Sequence, residues 1–251
     1  MEKISAIIPT GNEEHNIVDA IKSVDFADEI IIVDSFSNDK TLELATPLVH
    51  TILQRKYVNS ASQKNWVIPK AKHKWIFLLD ADERVTKKLK KEITDILKSK
   101  SKLSGFWISR QNYFMGKKVR FSGWRGDKVI RLFKRDECKY ENKHVHSEII
   151  SNGKIGRLKQ KIIHNTYISK EKYLEKLNQY AKWQAKDYKN KVKRISIYHT
   201  NIKPVFRFIK HYIIQLGILD GYIGFIISLY QAKAVKMRYY YLKKIQDENR
   251  A

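Results

Sequence analysis

Residues 75–83 read Trp-Ile-Phe-Leu-Leu-Asp-Ala-Asp-Glu, an apolar run of strand length that ends abruptly in acidic side chains. A run this short and this apolar is typical of a strand buried on both faces of a sheet. Alternation along an extended chain predicts that Asp80 and Asp82 point to the same side just beyond the strand. Two carboxylates placed there suit a Mg²⁺ or Mn²⁺ ion that bridges phosphate groups. Taken alone, the pattern is as typical of a solvated turn that caps the helix following Thr86.

The chain before this segment alternates between strand and helix patterns. Short apolar or β-branched runs predict strands at residues 4–9, 29–34, 50–54 and 75–79. Apolar residues at helical spacing predict a helix after each strand, at residues 15–24, 41–48, 62–72 and 87–98. This alternation is typical of an α/β fold with a doubly wound, mostly parallel sheet. Ligands of such sheets bind beyond the carboxyl ends of the strands, where the several carboxylates that follow the first, second and fourth strands are predicted to converge.

The second half of the chain changes character twice. Residues 104–166 contain aromatic or β-branched runs that predict strands at residues 106–109, 129–133, 144–150 and 161–164. From residue 167 onward the pattern is helical, with a stripe of apolar side chains surrounded by lysines. We therefore predict an α/β domain with a mixed β segment over residues 1–166, and a basic, helical C-terminal appendage over residues 167–251.

The composition limits the classes of protein to which the chain can belong. Its 251 residues are 43% hydrophobic and 30% charged, which suits a sizeable core and argues against wholesale disorder. The formal net charge of +24 favours an anionic partner, either nucleic acid or an acidic membrane surface. Cys138 is the only cysteine, which excludes an internal disulfide framework and a thiolate-rich zinc site. The N-terminal residues lead straight into the first predicted strand without a signal-peptide pattern, so we expect a cytoplasmic protein.

Residues 212–230 are the most apolar stretch and approach the length of a membrane span. Asp220 disfavours a transmembrane helix, because a carboxylate near the bilayer centre costs roughly 2.5–3.5 kcal/mol on insertion scales. Basic residues flank the stretch and tyrosines recur within it, which predicts a helical hairpin in the headgroup region of an anionic leaflet. A helix pair packed on the domain and a dimer contact are the alternatives.

Several blocks of sequence, in order along the chain, resemble glycosyltransferase family 2. They are IIPTGNEEHNI (residues 7–17), IIIVDSFSNDKT (30–41), QKNW (63–66) and WIFLLDADERV (75–85). The later blocks RQNYFMGKKVRFSGW (110–124), KVIRLFKR (128–135) and HVHSEII (144–150) are similar to a narrower branch that contains bacterial lipopolysaccharide-core β-glucosyltransferases. The resemblance implies the GT-A fold and an inverting transfer from a nucleotide-sugar with the help of Mg²⁺ or Mn²⁺.

The resemblance also implies roles for individual residues. Asp34 would hydrogen-bond the nucleobase, Asp80 would lie near the ribose, and Asp82 would ligate the metal ion on the diphosphate. Lys64 matches a basic position beside the donor, where its charge would help to neutralise the departing nucleoside diphosphate. The other donor-binding residues that the resemblance implies are Pro9, Thr10, Asn12, Glu13 and Glu14.

One position departs from the family pattern. Gly11 stands where the first loop of the family often carries a bulky side chain, frequently tyrosine. A stacking surface for the base would then have to come from Phe36 or another ring.

An inverting transfer to a hydroxyl group needs a general base. Asp127, just before a predicted strand, is the first candidate, and a turn aspartate in an Arg-Gly-Asp loop is the alternative. The branch commonly has His-Glu where this chain has His146 and Ser147, so Glu148 is the second candidate.

Three further residues are candidates for contacts in the site. His146 and His164 are predicted to contact the metal ion or a phosphate, and structural histidines are the alternative. Trp124 is predicted to form a platform for an acceptor sugar.

Together these observations predict an inverting, metal-dependent glycosyltransferase. It would move a hexose, with glucose from a UDP-sugar as the first expectation, to a lipopolysaccharide-core or related glycolipid at the cytoplasmic face of the inner membrane. Transfer to polyprenyl phosphate or to another cell-surface glycan is an alternative within the same class. A basic nucleic-acid-binding protein is the non-enzyme alternative, although the sequence has no helix-turn-helix, RNA-recognition or zinc-finger signature.

Overall fold

The computed structural model describes residues 1–141, 148–167 and 169–248. The chain divides into two compact units. The first unit consists of Met1–Gln111 and Gly126–His164, and the second consists of Asn112–Arg125 and Asn165–Ala251.

The main sheet has the predicted doubly wound, mostly parallel arrangement. Its strands are β1 (Ile4–Thr10), β2 (Glu29–Asp34), β3 (Thr51–Gln54), β4 (Trp75–Leu78), β5 (Glu83–Arg84), β6 (Gly105–Phe114), β7 (Lys117–Lys118), β8 (Lys128–Lys134) and β11 (Ile155–Tyr167). Strands β9 (Cys138–Tyr140) and β10 (Ile149–Ser151) pair with each other in a separate two-stranded sheet. Strands β3, β2, β1 and β4 are neighbours in this order and run parallel. Strand β8 is antiparallel to β4, and β6 is antiparallel to β8, so the mixed β segment extends the same sheet.

The last strand of the sheet is longer than the sequence predicts. The pattern indicates a strand at residues 161–164, whereas β11 covers Ile155–Tyr167. The strand is longer because β11 is a neighbour of the ten-residue strand β6, and this pairing has no local signal; β5 pairs only with Ile163 and His164. Part of the strand predicted at residues 144–150 lies outside the described residues, and β10 begins at Ile149.

The helices begin and end close to the predicted positions. They are α1 (Ile17–Ser23), α2 (Thr41–Ala45), α3 (Ser60–Val67), α4 (Lys87–Lys98), α5 (Lys170–Tyr188), α6 (Lys203–Ile209) and α7 (Gly221–Glu248). Thr86 caps α4 as predicted, because its Oγ1 accepts a hydrogen bond from the Leu89 N–H at 3.1 Å. Helices α2 and α3 are shorter than predicted because Pro47 and Pro69 each lie in a following turn of 3₁₀-helix.

Both faces of the parallel strands are covered, as the apolar runs predict. On β1, Ile4 and Ile8 belong to a core that also contains side chains of α1 and α4. Ile7, between them, points into a second core with Ala61 and Val67 of α3. The helices therefore hold the sheet rigidly from both sides and leave the strand ends to form a site.

The C-terminal part of the second unit is built on α5 and α7. Tyr173 and Leu177 of α5 are buried with Ile223 and Ile227 of α7. Among the described residues no single helix is long and apolar enough to cross a bilayer, whereas Tyr198–Ile214 and Gly217–Glu248 qualify only as a pair, bent by 70°. The hairpin predicted over residues 212–230 is thus a sharp break between two helices, and its association with a membrane stays a prediction.

Candidate active site

The loops that follow β1 and β2 are held together by side-chain hydrogen bonds. The Asn12 N–H donates to Ser37 Oγ, and Asn12 Oδ1 accepts from the Asn38 N–H, both at 2.9 Å. Asn12 has a φ of 55°, in the left-handed region that asparagine tolerates better than most residues. The Glu13 N–H donates to Thr41 Oγ1 at 2.7 Å. The first loop is therefore fixed against the second before any ligand arrives.

The other predicted donor-binding residues of the first loop lie at the same edge. Pro9 and Thr10 end β1, and Glu14 accepts a hydrogen bond from the Lys40 N–H at 3.1 Å. Thr10 Oγ1 and Gln63 Oε1 are buried and have no hydrogen-bond partner within the described part of the chain. Buried polar atoms are normally hydrogen-bonded, so these two atoms mark places where a ligand or water would supply a partner.

Asp34 lies at the end of β2, as predicted, but its side chain is completely buried (0% exposed). One carboxylate oxygen accepts from the Ser37 N–H at 3.0 Å and from Gln54 Nε2 at 3.1 Å, and the other accepts from Ser37 Oγ. In the structure Asp34 organises the second loop through these hydrogen bonds, and its contact with the base stays a prediction.

Phe36 occupies an unusual conformation in the second loop. Its φ of 60° is left-handed, which costs a non-glycine residue roughly 1–2 kcal/mol, and its side chain is 58% exposed. The neighbouring Ser35 lies next to Gly11, since a Cβ built on Gly11 would be 3.4 Å from Ser35 Cβ. An exposed aromatic ring on strained backbone, close to the glycine of the first loop, suits a stacking surface for a planar ligand.

A cluster of five charged side chains lies next to this edge. Arg131 donates to Asp80 and, at 2.9 Å, to Glu83 Oε1. Arg110 Nε donates to the same Glu83 oxygen at 2.8 Å, and Arg110 Nη2 is 3.6 Å from Asp80 Oδ2. Lys64 Nζ is 3.1 Å from Asp80 Oδ1. Lys64 is predicted to lie beside the donor, and in the structure its ammonium group contacts Asp80 directly.

The cluster fixes the charge states of its members. Burial alone would raise the pKa of Asp80, but the positive charges of Arg131, Lys64 and Arg110 outweigh it and hold that pKa well below its usual value. Burial alone would lower the pKa of Arg131, but Asp80 and Glu83 hold it well above its usual value. The site is therefore preorganised, with the Asp80 carboxylate ionised and its negative charge balanced by the neighbouring cations.

Arg110, Arg131 and Glu83 are absent from the predicted site residues. A signal for Arg131 was present, because it lies within the apolar strand pattern of residues 128–135, and a buried arginine requires an anionic partner.

The strand expected to carry Asp80 and Asp82 in extended conformation ends before them. Strand β4 ends at Leu78, and the chain then turns, with the Glu83 N–H donating to the Asp80 carbonyl at 2.9 Å. The Asp80 N–H donates to Glu83 Oε2 at 3.1 Å, which closes the turn with a side chain. The two aspartates consequently have different partners, because the strand does not continue through them.

Asp82 faces a histidine. Asp82 Oδ2 is 3.4 Å from His164 Nε2, and both side chains are partly exposed. The register of β11 against β5, in which His164 is opposite Glu83, produces this contact between residues far apart in the sequence. His146, the other predicted metal contact, lies outside the described residues.

The residues present fit a divalent ion shared with a substrate. The described residues contain no group of three or more His, Cys, Asp or Glu side chains that could hold a metal ion by themselves. One carboxylate leaves positions for diphosphate oxygens and water, as in nucleotide-bound Mg²⁺ sites, whereas an imidazole ligand is more typical of transition metals. Asp82 and His164 are the side chains that would hold such an ion.

The two candidate bases differ in their surroundings. Asp127 lies just before β8, and its Oδ1 is 3.6 Å from Arg110 Nη1, which links it to the charged cluster. The Arg110 N–H also donates to the Asp127 carbonyl at 2.9 Å. Glu148 is exposed and its backbone carbonyl accepts from the Glu141 N–H at 2.9 Å. Asp127 is therefore the candidate that the structure connects to the other predicted site residues.

Trp124 belongs to the second unit. Its ring is 6.1 Å from that of Phe114 in an edge-to-face arrangement, and its backbone N–H donates to the Phe121 carbonyl at 2.9 Å. The side chain is only partly buried, so one part of the indole remains available for a ligand. Its role as an acceptor platform stays a prediction.

The sequence is similar to known bacterial glycosyltransferases over nearly its full length. An uncharacterized glycosyltransferase of Rickettsia typhi is 28% identical over 271 residues, covering 100% of this chain and 90% of the relative. The lipopolysaccharide core biosynthesis glycosyltransferase LpsC of Rhizobium meliloti is 26% identical over 216 residues, covering 83% of this chain and 80% of the relative.

Solved structures are similar at a lower level. The structure of S. aureus TarS residues 1–349 in complex with UDP-GlcNAc has a TM-score of 0.48 at 13% identity and covers 98% of this chain and 92% of that chain. Glucosyl-3-phosphoglycerate synthase from Mycobacterium tuberculosis, in complex with Mn²⁺, UDP-glucose and phosphoglyceric acid, has a TM-score of 0.37 at 19% identity and covers 46% of this chain and 45% of that chain.

The family comparison covers the first unit and its charged edge. The model of the family Glycosyl transferase family 2 matches residues 5–158, which is more than half of the 251-residue chain. The match decides between the enzyme and the nucleic-acid-binding interpretations. The protein belongs to glycosyl transferase family 2 and is a glycosyltransferase.

Proposed function

We propose that the protein transfers a hexose with inversion from a nucleotide-sugar, with UDP-glucose as the first candidate, to a glycolipid of the lipopolysaccharide-core type. The observation that carries the donor half is the separation of the two motif carboxylates: Asp80 contacts three cations, whereas Asp82, which is about equally exposed, contacts His164. The named role of LpsC in lipopolysaccharide core biosynthesis supports the acceptor half. With such an acceptor the reaction would take place at the cytoplasmic face of the inner membrane.

The residues at the sheet edge would divide the work of donor binding. Thr10 and Gln63 offer buried polar atoms without partners in the described chain, and Phe36 offers an exposed ring for the base. Asp82 and His164 would hold Mg²⁺ or Mn²⁺, which when bound offsets the negative charge of the departing nucleoside diphosphate. Lys64, Arg110 and Arg131 supply fixed positive charge beside the same edge.

Asp127 would act on the acceptor. Its carboxylate would take the proton of the attacking hydroxyl group while the sugar is transferred from the opposite face. Arg110 holds this carboxylate from one side, which restricts its orientation. An acceptor that is already an anion, such as polyprenyl phosphate, would not need this proton transfer.

The donor half is tested with the purified full-length chain and a panel of UDP-, GDP- and dTDP-sugars, each with Mn²⁺ or Mg²⁺. We expect a donor at about 100 times its Kd to stabilise the fold by about 2.7 kcal/mol, measured as a thermal shift. Asp82→Asn should abolish that shift. Asp95→Asn, an exposed aspartate of α4 whose partner is Lys91, is the matched control and should leave it unchanged. No shift with any sugar nucleotide would overturn the proposal.

The acceptor half is tested with Asp127→Asn in transfer assays on lipid acceptors. A hydroxyl acceptor predicts a loss of turnover of at least about 100-fold, because a positioned general base contributes 10²–10⁴-fold. Near-normal turnover with polyprenyl phosphate would instead support the phosphate acceptor.

A further inference from the structure

The second unit exposes a long apolar stripe on the helical segment Tyr198–Ile214, here called the first arm. The large apolar side chains that are exposed on this arm are Ile202, Val205, Phe206, Ile209, Ile213 and Ile214. Their spacing of three and four residues places them on one side of the helix. Pro204 and His211, on the other side, are buried. The stripe is therefore distinct from the face that packs within the unit.

The segment Gly217–Glu248, here called the second arm, begins with a matching stripe. Its exposed large apolar side chains are Ile218, Leu219, Tyr222, Phe225 and Leu229. Ile223, Ile226 and Ile227 alternate with them and are buried. Leu216, with a φ of 56°, forms the break between the arms and is itself exposed. A continuous run of exposed apolar residues on this scale marks an interaction surface.

The same region is strongly basic. Between Tyr188 and Gln246 the sequence contains twelve Lys and Arg residues and one acidic residue, Asp220. The Asp220 carboxylate accepts from the N–H groups of Arg120 and Phe121 at 2.9 Å and from Ser122 Oγ at 2.8 Å. The only carboxylate of the region is thus used inside the unit, where it fastens a loop to the break between the arms.

That loop adds positive charge beside the apolar stripes. Its exposed basic residues are Lys117, Lys118, Arg120 and Arg125. At the break itself, burial lowers the pKa of His211, and its Nδ1 is 3.0 Å from the Ser122 carbonyl. The imidazole is consequently neutral at pH 7, and it adds no charge to the buried side of the first arm.

We propose that the two arms and the loop at residues 117–125 form a docking surface for one leaflet of an anionic phospholipid membrane. The apolar stripes enter the boundary between headgroups and acyl chains, and the basic loop contacts lipid phosphates. The 70° bend and the one-sided stripes favour insertion into one leaflet over a span, since charged side chains occur along both arms. The proposal rests on the proposed function only in that a glycolipid acceptor is carried by such a membrane.

The apolar part is tested by co-sedimentation of the full chain with phosphatidylglycerol–phosphatidylcholine vesicles, without donor or acceptor. Leu219→Gln and Ile214→Gln should each weaken binding by about tenfold or more, because each removes a buried aliphatic side chain from the lipid. Val58→Gln is the matched control, since Val58 is 64% exposed against 63% for Leu219 and lies in the first unit. An equal loss in the control, or unchanged binding in both test variants, would overturn the proposal.

The contribution of the basic loop is tested by reversing the charge of two of its residues. Lys117→Glu with Arg120→Glu should weaken binding by at least about 30-fold, from a contribution of about fivefold for each basic residue near an anionic surface. Lys87→Glu with Lys88→Glu on α4 changes the net charge equally and should have a much smaller effect. Binding should also fall with salt and be weak on pure phosphatidylcholine. Equal losses of vesicle binding in the two double variants would show that binding depends only on the net charge, which would overturn the role of the loop.

Insertion itself is read with a fluorophore at Leu219→Cys. Cys138 is buried and burial raises the pKa of its thiol, so the introduced cysteine reacts selectively. A blue shift on vesicle addition and quenching by shallow brominated lipids are expected. Absence of vesicle binding would overturn the proposal, and a dimer lost in Leu219→Gln would then assign the surface to a second copy of the chain. Either result leaves the nucleotide-sugar test of the proposed function unaffected.

Discussion

Replacement of Arg131 by methionine tests whether the buried charge cluster holds the site together. The Arg131 side chain is 3% exposed and its Nη2 donates to both Asp80 and Glu83, and Glu83 is itself completely buried. Methionine retains much of the volume but removes the positive charge. The carboxylates of Asp80 and Glu83, which share the Arg131 guanidinium, would then have only Arg110 and Lys64 as neighbouring cations.

The expected cost follows from the burial of the partners. Removing one member of a buried ion pair destabilises a protein by about 3–5 kcal/mol, because the remaining charge stays buried. Arg110 still contacts Glu83 and Lys64 still contacts Asp80, so we expect the lower end, about 3 kcal/mol. For a domain of this size, 1 kcal/mol corresponds to about 2–4 °C, so the Tm should fall by about 6–12 °C.

The assay is thermal unfolding of the wild type, Arg131→Met, Glu83→Gln and the double variant. If stranded Glu83 causes the loss, the double variant should be more stable than the sum of the single changes predicts, by about 1 kcal/mol or more. Arg135→Met is the control, since Arg135 pairs with the exposed Asp136 and such pairs contribute about 0–1 kcal/mol. A decrease in Tm of less than about 2 °C for Arg131→Met, or strictly additive effects of the two substitutions, would refute the reasoning.

Three further predictions concern single residues. Phe36→Gly should raise the Tm slightly, because relief of about 1–2 kcal/mol of left-handed strain exceeds the entropic cost of glycine of about 0.5–1 kcal/mol. It should also weaken UDP binding, measured by calorimetry, about tenfold through loss of the stacking ring. A lower Tm or an unchanged affinity would contradict this prediction. Asp220→Ala should cost about 2–4 kcal/mol in denaturant unfolding followed by helical circular dichroism, because it leaves two backbone N–H groups without an acceptor, and Asp220→Asn should cost less. Burial lowers the pKa of His211 in the folded chain, so as the pH falls the unfolded chain takes up a proton on this histidine before the folded chain does. The free energy of unfolding should therefore fall as the pH drops below about 6.5. His211→Gln should flatten this pH dependence, and an unchanged pH profile in the variant would contradict the prediction.

Local sequence patterns were sufficient to predict the strands and helices of the parallel sheet. Alternating apolar runs and helical spacing act over a few residues, so β2, α4 and the Thr86 cap could be predicted within a residue or two. The edge at which the acidic residues meet followed from the same patterns, because parallel strands bring their carboxyl ends together. The order of the sequence blocks also identified the family correctly.

The pairing of the charged side chains could not be predicted from the sequence, because it depends on contacts between distant segments. Arg131 and Glu83 are 48 residues apart, and they meet because β8 runs antiparallel to β4 and the turn that follows β4 brings Glu83 back to it. His164 reaches Asp82 through the register of β11 against β5, which leaves no trace in local periodicity. Asp220, which the sequence presents as a charge inside an apolar stretch, is internally hydrogen-bonded to residues about 100 positions earlier. Local patterns fix which segments are strands and helices, whereas pairing between distant charges depends on strand register and helix packing, and these are set by the whole fold.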